Sequence, residues 1–354
     1  MKVGVVGASG YAGVELLRLC ASHPDVEVAV ATAGDHRGER VARHTPSLAA
    51  SYPNLTYAPT EPAELDGLDL VFLALPHGRS QHLVPDLRPR VGAIVDLAAD
   101  FRLHEPSRYQ EWYGEPHTVP ELLDEFVYGL PEFHRPELIE AKLVAAPGCY
   151  PTAAVLALKP LLESGAIDVP GAGAARGGRV PPLVVDAASG VSGAGRAPKD
   201  TLHFGSVDED FTAYGLLDHR HTPEMEQCLD APVLFTPHLA PMVRGILATC
   251  YARPAPAAGA AGSLTTEAAL AILHRAYDDE PFVVVTDAAP STKATTGSNC
   301  AHVTARVDPR TGWVIALAAI DNLVKGAAGQ AVQCANLALG LPEAAGLPTA
   351  GIYP

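Results

Sequence analysis

The chain opens with Lys2-Val3-Gly4-Val5-Val6, a short apolar run that passes without interruption into Gly7-Ala8-Ser9-Gly10-Tyr11-Ala12-Gly13. Val14, Leu16, Leu17, Leu19 and Cys20 follow at helical spacing. A buried strand that turns on glycines straight into a helix is the start of a βα unit. The same alternation continues through Val26–Thr32, Leu70–Leu75, Ala93–Leu97 and Leu143–Ala146, each a compact apolar run ended by turn residues. Continuous apolar strands interleaved with helices predict a doubly wound α/β domain with a parallel sheet covered on both faces.

The pattern changes near residue 149. The runs at 183–185, 233–235, 246–251, 282–286, 302–307 and 313–320 have fewer helices between them, which predicts an α+β domain with a mostly antiparallel sheet. Two domains suit a chain of 354 residues. The Gly/Ala/Arg-rich segment between Pro170 and Pro182 and the Ala/Pro/Gly-rich residues 255–262 read as mobile surface loops. Val324–Leu339 is Ala-rich and helical, with Gly340 placed to cap it.

Charge and cysteine usage narrow the partners. The formal net charge is −15, with no basic run, which argues against nucleic acid but leaves small anions open through a few placed arginines. Six scattered cysteines form no CxxC or Cys/His ligand spacing, so no metal is expected and reduced thiols in the cytoplasm are the simpler reading. There is no signal-peptide-like apolar stretch and no segment long enough to span a membrane.

Three groups of residues carry candidate chemistry. The Gly7, Gly10 and Gly13 spacing after a strand suits a diphosphate at a helix N-terminus, although an ordinary βα turn in a Gly-rich chain would look similar. After the second strand, Asp35 and Arg37 suit an NAD ribose and an NADP 2′-phosphate respectively, and Arg37 is the preferred reading. Cys149, in Pro147-Gly148-Cys149-Tyr150-Pro151-Thr152, falls between a strand end and a helix start, where the helix dipole favours a nucleophilic thiolate; a small buried hydrophobe is the alternative. A thiol beside a nicotinamide suggests acyl transfer to sulfur followed by hydride reduction to an aldehyde. Such a reaction needs a proton shuttle and cations. His219-Arg220-His221 supplies two imidazoles, and Arg102, Arg196 and Arg244 are candidate anion clamps, although each is also an ordinary surface ion-pair residue.

Taken in order along nearly the whole chain, several motifs resemble the N-acetyl-gamma-glutamyl-phosphate reductase family, related to aspartate-semialdehyde dehydrogenase. They are Gly7–Gly13, Leu73-Ala74-Leu75-Pro76-His77-Gly78, Ala99-Asp100-Phe101-Arg102, Tyr128-Gly129-Leu130-Pro131-Glu132, the Cys149 box, Ser189–Arg196, His219–Glu224, Gly297-Ser298-Asn299 and Asp321–Gly326. The resemblance implies a Rossmann-type NADP-binding domain over 1–148, completed by the C-terminal helix of 324–354, and a catalytic and oligomerisation domain over 149–323. It implies NADPH-dependent reduction of N-acetyl-L-glutamyl 5-phosphate to the 5-semialdehyde and phosphate, in arginine biosynthesis. A second-domain sheet with an uncovered face would suit subunit packing, so a homodimer or homotetramer is expected.

Under that resemblance Cys149 is the thioester-forming nucleophile, His221 the acid/base and His219 a substrate-binding or auxiliary residue. Gly7, Ser9, Gly10, Tyr11, Ala12, Gly13, Arg37, His77, Gly78 and Asn322 would surround the cofactor, while Arg102, Ser192, Arg196 and Arg244 would face the substrate. Ala146 stands where the family's cysteine box often carries Asn. The competing readings are a reductase of an aspartyl or aminoadipyl phosphate, and a non-enzymatic NADP-binding regulator that has kept the fold.

Overall fold

The structure is a computed structural model, and it describes residues 1–168, 183–255 and 264–353. The Pro170–Pro182 segment and residues 256–262 of the second expected loop lie outside the described residues. The chain divides into two compact units: Met1–Gly148 with Gly326–Pro348, and Cys149–Lys325 with Thr349–Pro354.

The first unit is built on seven strands: β1 (Lys2–Val6), β2 (Glu27–Thr32), β3 (Tyr57–Ala58), β4 (Leu70–Leu73), β5 (Ile94–Asp96), β6 (Val127–Tyr128) and β7 (Leu143–Ala145). Every pair is parallel, in the order β3-β2-β1-β4-β5-β7-β6. All of β4, β5 and β7 and the last four residues of β1 are buried, as expected for strands covered on both faces. The order reverses between β1 and β4, and in open α/β sheets ligands bind beyond the carboxyl ends at such a point. Those ends carry Gly7, Ala33–Arg37, Ala74–Gly78 and Leu97–Arg102.

The C-terminal helix belongs partly to this unit. Its first turn, Val324–Ala328, is π-helical rather than α-helical, and the α-helix proper is Gly329–Ala338. That α-helix is buried along nearly its whole length against β5 and the helices Tyr11–Cys20 and Pro131–Leu138. Its polar residues are therefore spent internally. Gln330 Nε2 donates to the Gly129 carbonyl at 2.8 Å, and Asn336 Oδ1 lies 2.9 Å from His23 Nε2. Gly340 ends the helix with φ of +67°, a left-handed conformation that costs glycine little.

The second unit contains β8 (Leu183–Gly190), β9 (Thr212–Ala213), β10 (Val233–Ala240), β11 (Ile246–Ala252), β12 (Val283–Val285), β13 (Ala301–Val307) and β14 (Val314–Ile320). Their order is β12-β13-β14-β11-β8-β10-β9. The sheet is mixed: the β12–β13 and β8–β10 pairs are parallel, and the other pairs antiparallel. The helix Cys149–Glu163 packs on β11, β13 and β14, and on the helices Thr222–Leu229 and Thr266–Tyr277. Buried residues alternate with half-exposed ones along β8 and β11, so one face is covered more fully than the other. Among the described residues, no helix is long and apolar enough to cross a membrane.

Candidate active site

Two groups of residues carry the candidate chemistry, one in each unit. In the first unit the three glycines do different work. Gly7 has φ of +78°, and a Cβ there would stand 2.3 Å from the Ala74 carbonyl oxygen. A Cβ on Gly13 would lie 2.3 Å from Gly7 O and 2.6 Å from Ala8 Cα, because the helix start is folded tightly onto the turn. Gly10 is different: its nearest neighbour would be Gly7 O at 3.5 Å, an ordinary contact. Gly7 and Gly13 thus make the turn possible, while Gly10 keeps its outer side bare. The helix Tyr11–Cys20 has no side-chain cap and no acid in its first turn, so the positive end of its dipole is not neutralised by its own residues. A cradle of this kind fits the diphosphate of a dinucleotide. Ser9, Tyr11 and Ala12 lie on the same turn, with Tyr11 exposed.

Arg37 ends the short 3₁₀ turn Gly34–His36 beyond β2 and is exposed, as is Asp35. No ion pair of Arg37 is present among the described residues, so its charge is available to an anion. Beyond β4, His77 Nδ1 lies 2.9 Å from Asp100 Oδ1, and the Gly78 N–H donates to the same oxygen at 2.7 Å. The Gln81 N–H donates to Asp100 Oδ2 at 3.1 Å. Burial pushes the Asp100 carboxyl up, but the hydrogen bonds from His77, Gly78 and Gln81 outweigh it and hold the group below its usual range. Asp100 thereby orients the His77-Gly78 loop.

Arg102 is buried, with Nε donating to the Ala146 carbonyl at 2.8 Å and a second guanidinium nitrogen to Leu97 O at 2.7 Å. It ties the exits of β5 and β7 together, and Ala146, the departure from the family pattern, contributes its backbone to that tie. The same exit holds Asp96, fully buried, which accepts from Ser80 Oγ at 2.7 Å and from the Ala98 N–H at 3.0 Å. Burial, together with the nearby Asp100 charge, pushes Asp96 up to about 7.

In the second unit Cys149 is the first residue of the 15-residue helix Cys149–Glu163, and it is half-buried. The next residue, Tyr150, is the hub of the site. Its ring centroid lies 5.6 Å from that of His219, 6.0 Å from His221 and 5.1 Å from Phe235, each edge-on. The two imidazoles are 4.9 Å apart, also edge-on. His221 precedes the helix Thr222–Leu229, whose second residue, Pro223, has no N–H to leave unpaired. Within this group His219 Nδ1 accepts a hydrogen bond from the His221 backbone N–H at 3.1 Å. Burial, reinforced by the neighbouring Arg220 charge, pushes His219 down to about 4. His219 is therefore a neutral imidazole at neutral pH, with its remaining proton on Nε2.

Tyr214 was not singled out by sequence reasoning, although the structure brings it to the site. The short strand β9 pairs with β10 through Thr212 and Ala213 and so carries Tyr214 to Tyr150; the hydroxyl oxygens are 3.0 Å apart. Tyr150 OH also donates to the His238 carbonyl at 3.2 Å. Burial raises both phenols, Tyr214 to about 12, and a negative charge on Cys149 raises them further. Nothing local in the sequence marks Tyr214.

The loop expected to clamp anions is held from beneath. Asn322 is buried, with Nδ2 donating to Ser192 Oγ at 2.9 Å and Oδ1 accepting from the Gly245 N–H at 2.8 Å. Arg244 lies 3.4 Å from Asp321, a fully buried carboxylate that also accepts from the Gly297, Leu323 and Val324 N–H groups. Arg196 is exposed on the loop that Ser192 anchors.

Comparisons with known proteins show the family of the chain. Residues 2–141 match the family model described as semialdehyde dehydrogenase, NAD binding domain, and residues 149–322 match semialdehyde dehydrogenase, dimerisation domain. A protein from Symbiobacterium thermophilum named N-acetyl-gamma-glutamyl-phosphate reductase is 45% identical, over all of this chain and 99% of its own length. One of the same name from Desulforudis audaxviator is 47% identical over the full length of both. Among solved structures, an aspartate semialdehyde dehydrogenase with NADP from Candida albicans superposes with a TM-score of 0.66 at 16% identity, covering 96% of this chain and 99% of that one. At that identity the likeness concerns the fold alone.

Proposed function

The chain belongs to the semialdehyde dehydrogenase family and, within it, to the N-acetyl-gamma-glutamyl-phosphate reductases; on that premise we propose how its own residues divide the reaction. The reaction is the NADPH-dependent reduction of N-acetyl-L-glutamyl 5-phosphate to N-acetyl-L-glutamate 5-semialdehyde, with release of phosphate, a step of arginine biosynthesis. Full-length relatives at 45% and 47% identity carry the acetylglutamyl name, whereas the aspartate enzyme named above is 16% identical, which weighs against an aspartyl substrate.

Cys149 attacks the acyl carbon. A carbon–sulfur bond forms, the bond to the phosphate oxygen breaks, and phosphate leaves. His221 takes the thiol proton as the attack begins and passes it to the departing phosphate. NADPH, when bound, supplies the hydride that reduces the resulting thioester. His221 then manages the proton of the tetrahedral oxygen as the carbon–sulfur bond breaks and the aldehyde departs. His219, kept neutral, donates from Nε2 to a substrate oxygen and moves no proton; the His221 N–H bond to its Nδ1 is the observation that carries this division. The Tyr150–Tyr214 pair walls the thiol.

The glycine turn, with Ser9, Tyr11 and Ala12, would hold the cofactor diphosphate, Arg37 its 2′-phosphate, and the His77-Gly78 loop a further part of it. Arg244 and Arg196 are the cations for the substrate's phosphate and carboxylate. Arg102 and Asn322 serve as braces, one for the exits of β5 and β7 and one for the Ser192 loop, since their polar atoms are engaged there. The chain assembles as a homodimer or homotetramer through the less covered face of the second sheet.

Supplying N-acetyl-L-glutamate 5-semialdehyde, phosphate and NADP⁺ should generate NADPH absorbance, and Cys149→Ser should abolish it while NADP⁺ still binds. With acyl phosphate and no reductant, the peptide containing Cys149 should gain the mass of the acyl group. An unmodified peptide in an active preparation would refute the thioester.

A further inference from the structure

The sequence offered no cysteine-based metal spacing, but the turn beyond β2 gathers a different donor set. His36, Glu39 and His44 each bring a ligand atom to within 4.8 Å of the other two, the one such group among the described residues. His44 Nε2 lies 2.9 Å from Glu39 Oε2, and His36 Nδ1 lies 3.8 Å from Glu39 Oε1. We propose that His36, Glu39 and His44 bind a divalent first-row transition ion such as zinc, completed by solvent.

The donor types fit. Two imidazoles and one carboxylate form a borderline nitrogen/oxygen set that zinc, nickel and copper accept, and that calcium or magnesium, which prefer all-oxygen shells, would not. The spacing fits as well. With bonds of roughly 2.0–2.1 Å, tetrahedral ligand atoms stand about 3.3 Å apart, and one ligand atom from each of the three residues already lies within 4.8 Å of the other two. The short Glu39–His44 contact holds two of the ligands together without a metal, so binding exchanges a hydrogen bond for coordination.

The backbone is also fixed beforehand. Gly38 N–H donates to Tyr57 O, Tyr57 N–H to Glu39 O, and Val41 N–H to Leu55 O, so the turn is stitched to β3 and its flanks on both sides of Glu39. The two imidazole centroids are 3.9 Å apart, with the buried Tyr57 ring about equally far behind each, at 6.2 and 6.1 Å. All three residues are half-buried. The competing cation is Arg43, 3.3 Å from Glu39 Oε2 and 75% exposed, a pairing that solvent weakens and that an ion would displace.

The test uses full-length protein carrying Cys149→Ser, so that the catalytic thiol takes no metal. After chelator treatment, zinc chloride titrated calorimetrically should bind with one equivalent assigned to this turn. His44→Ala and Glu39→Gln, each added to that background, should weaken that equivalent by at least tenfold. Zinc should raise the thermal midpoint of the parent, because it binds the folded state preferentially, and this shift should disappear in both variants. Matching circular dichroism of the metal-free proteins guards against misfolding. Absence of binding, or binding and midpoint shifts unchanged in both variants, would overturn the proposal.

Discussion

The Nδ1 atom of His219 accepts the backbone N–H of His221 at 3.1 Å, so the residue offered as proton shuttle fixes the tautomer of its neighbour. With that acceptor occupied and its pKa near 4, His219 keeps one proton on Nε2 across the neutral range and can donate a hydrogen bond without changing charge.

Kinetics should separate the two imidazoles. His221→Asn is expected to lower kcat by about 10²–10⁴-fold and to remove an ionisation from the pH profile of kcat. His219→Gln should mainly raise KM and leave that ionisation in place, since no titration of His219 falls in the working range. Loss of the ionisation in His219→Gln alone would exchange the two roles.

The glycine turn predicts a contrast between two alanines. Gly13→Ala forces a methyl to within 2.3 Å of Gly7 O, so the turn must open and the thermal midpoint should fall. Gly10→Ala meets nothing closer than 3.5 Å, so the fold should persist while the added methyl stands in the diphosphate cradle. NADPH affinity, followed by its fluorescence, should drop at least tenfold at an unchanged midpoint. If Gly10→Ala bound NADPH normally, the cradle would lie elsewhere.

Asn322→Ala strands the buried Gly245 N–H and removes the partner of Ser192. Leaving such groups unsatisfied costs about 1–3 kcal/mol, which urea unfolding resolves. A loss smaller than about 0.5 kcal/mol would mean that water replaces the side chain at little cost.

Asp96 links stability to pH with a definite sign. Its carboxyl is pushed from the ordinary 3.8 up to about 7, mainly by burial, so between those values the unfolded chain ionises while the folded one keeps its proton. Raising pH through that window costs stability, and the cost is complete above it. Asp96→Asn keeps an acceptor for Ser80 and Ala98 and removes the ionisation. Its thermal midpoint, compared with wild type, should therefore gain progressively from pH 4 to pH 8. A difference independent of pH would show that Asp96 is ionised in the fold at all these values.

Much of the site was legible residue by residue. The run Lys2–Val6 into Gly7 and Gly13 announced a strand, a turn and a helix, because hydrophobic spacing and steric allowance are local properties. Cys149 was placed at a helix start for the same reason. The parallel pairing of β8 with β10 was not legible, since a strand's apolar pattern does not record the direction of its neighbour. Tyr214 was silent too: it meets Tyr150 across 64 residues of chain.

The amino-acid order by itself determined where the backbone turns, which runs are buried, and that a thiol and two imidazoles are present with a nucleotide-type turn. Only the tertiary structure decided what those groups are chemically. It buried His219 until the imidazolium became unfavourable, engaged both ends of the Asn322 amide, and drew His36, Glu39 and His44 around one point. Protonation and coordination depend on solvent exclusion and on distances of a few ångströms between residues, and those exist only once the chain has folded.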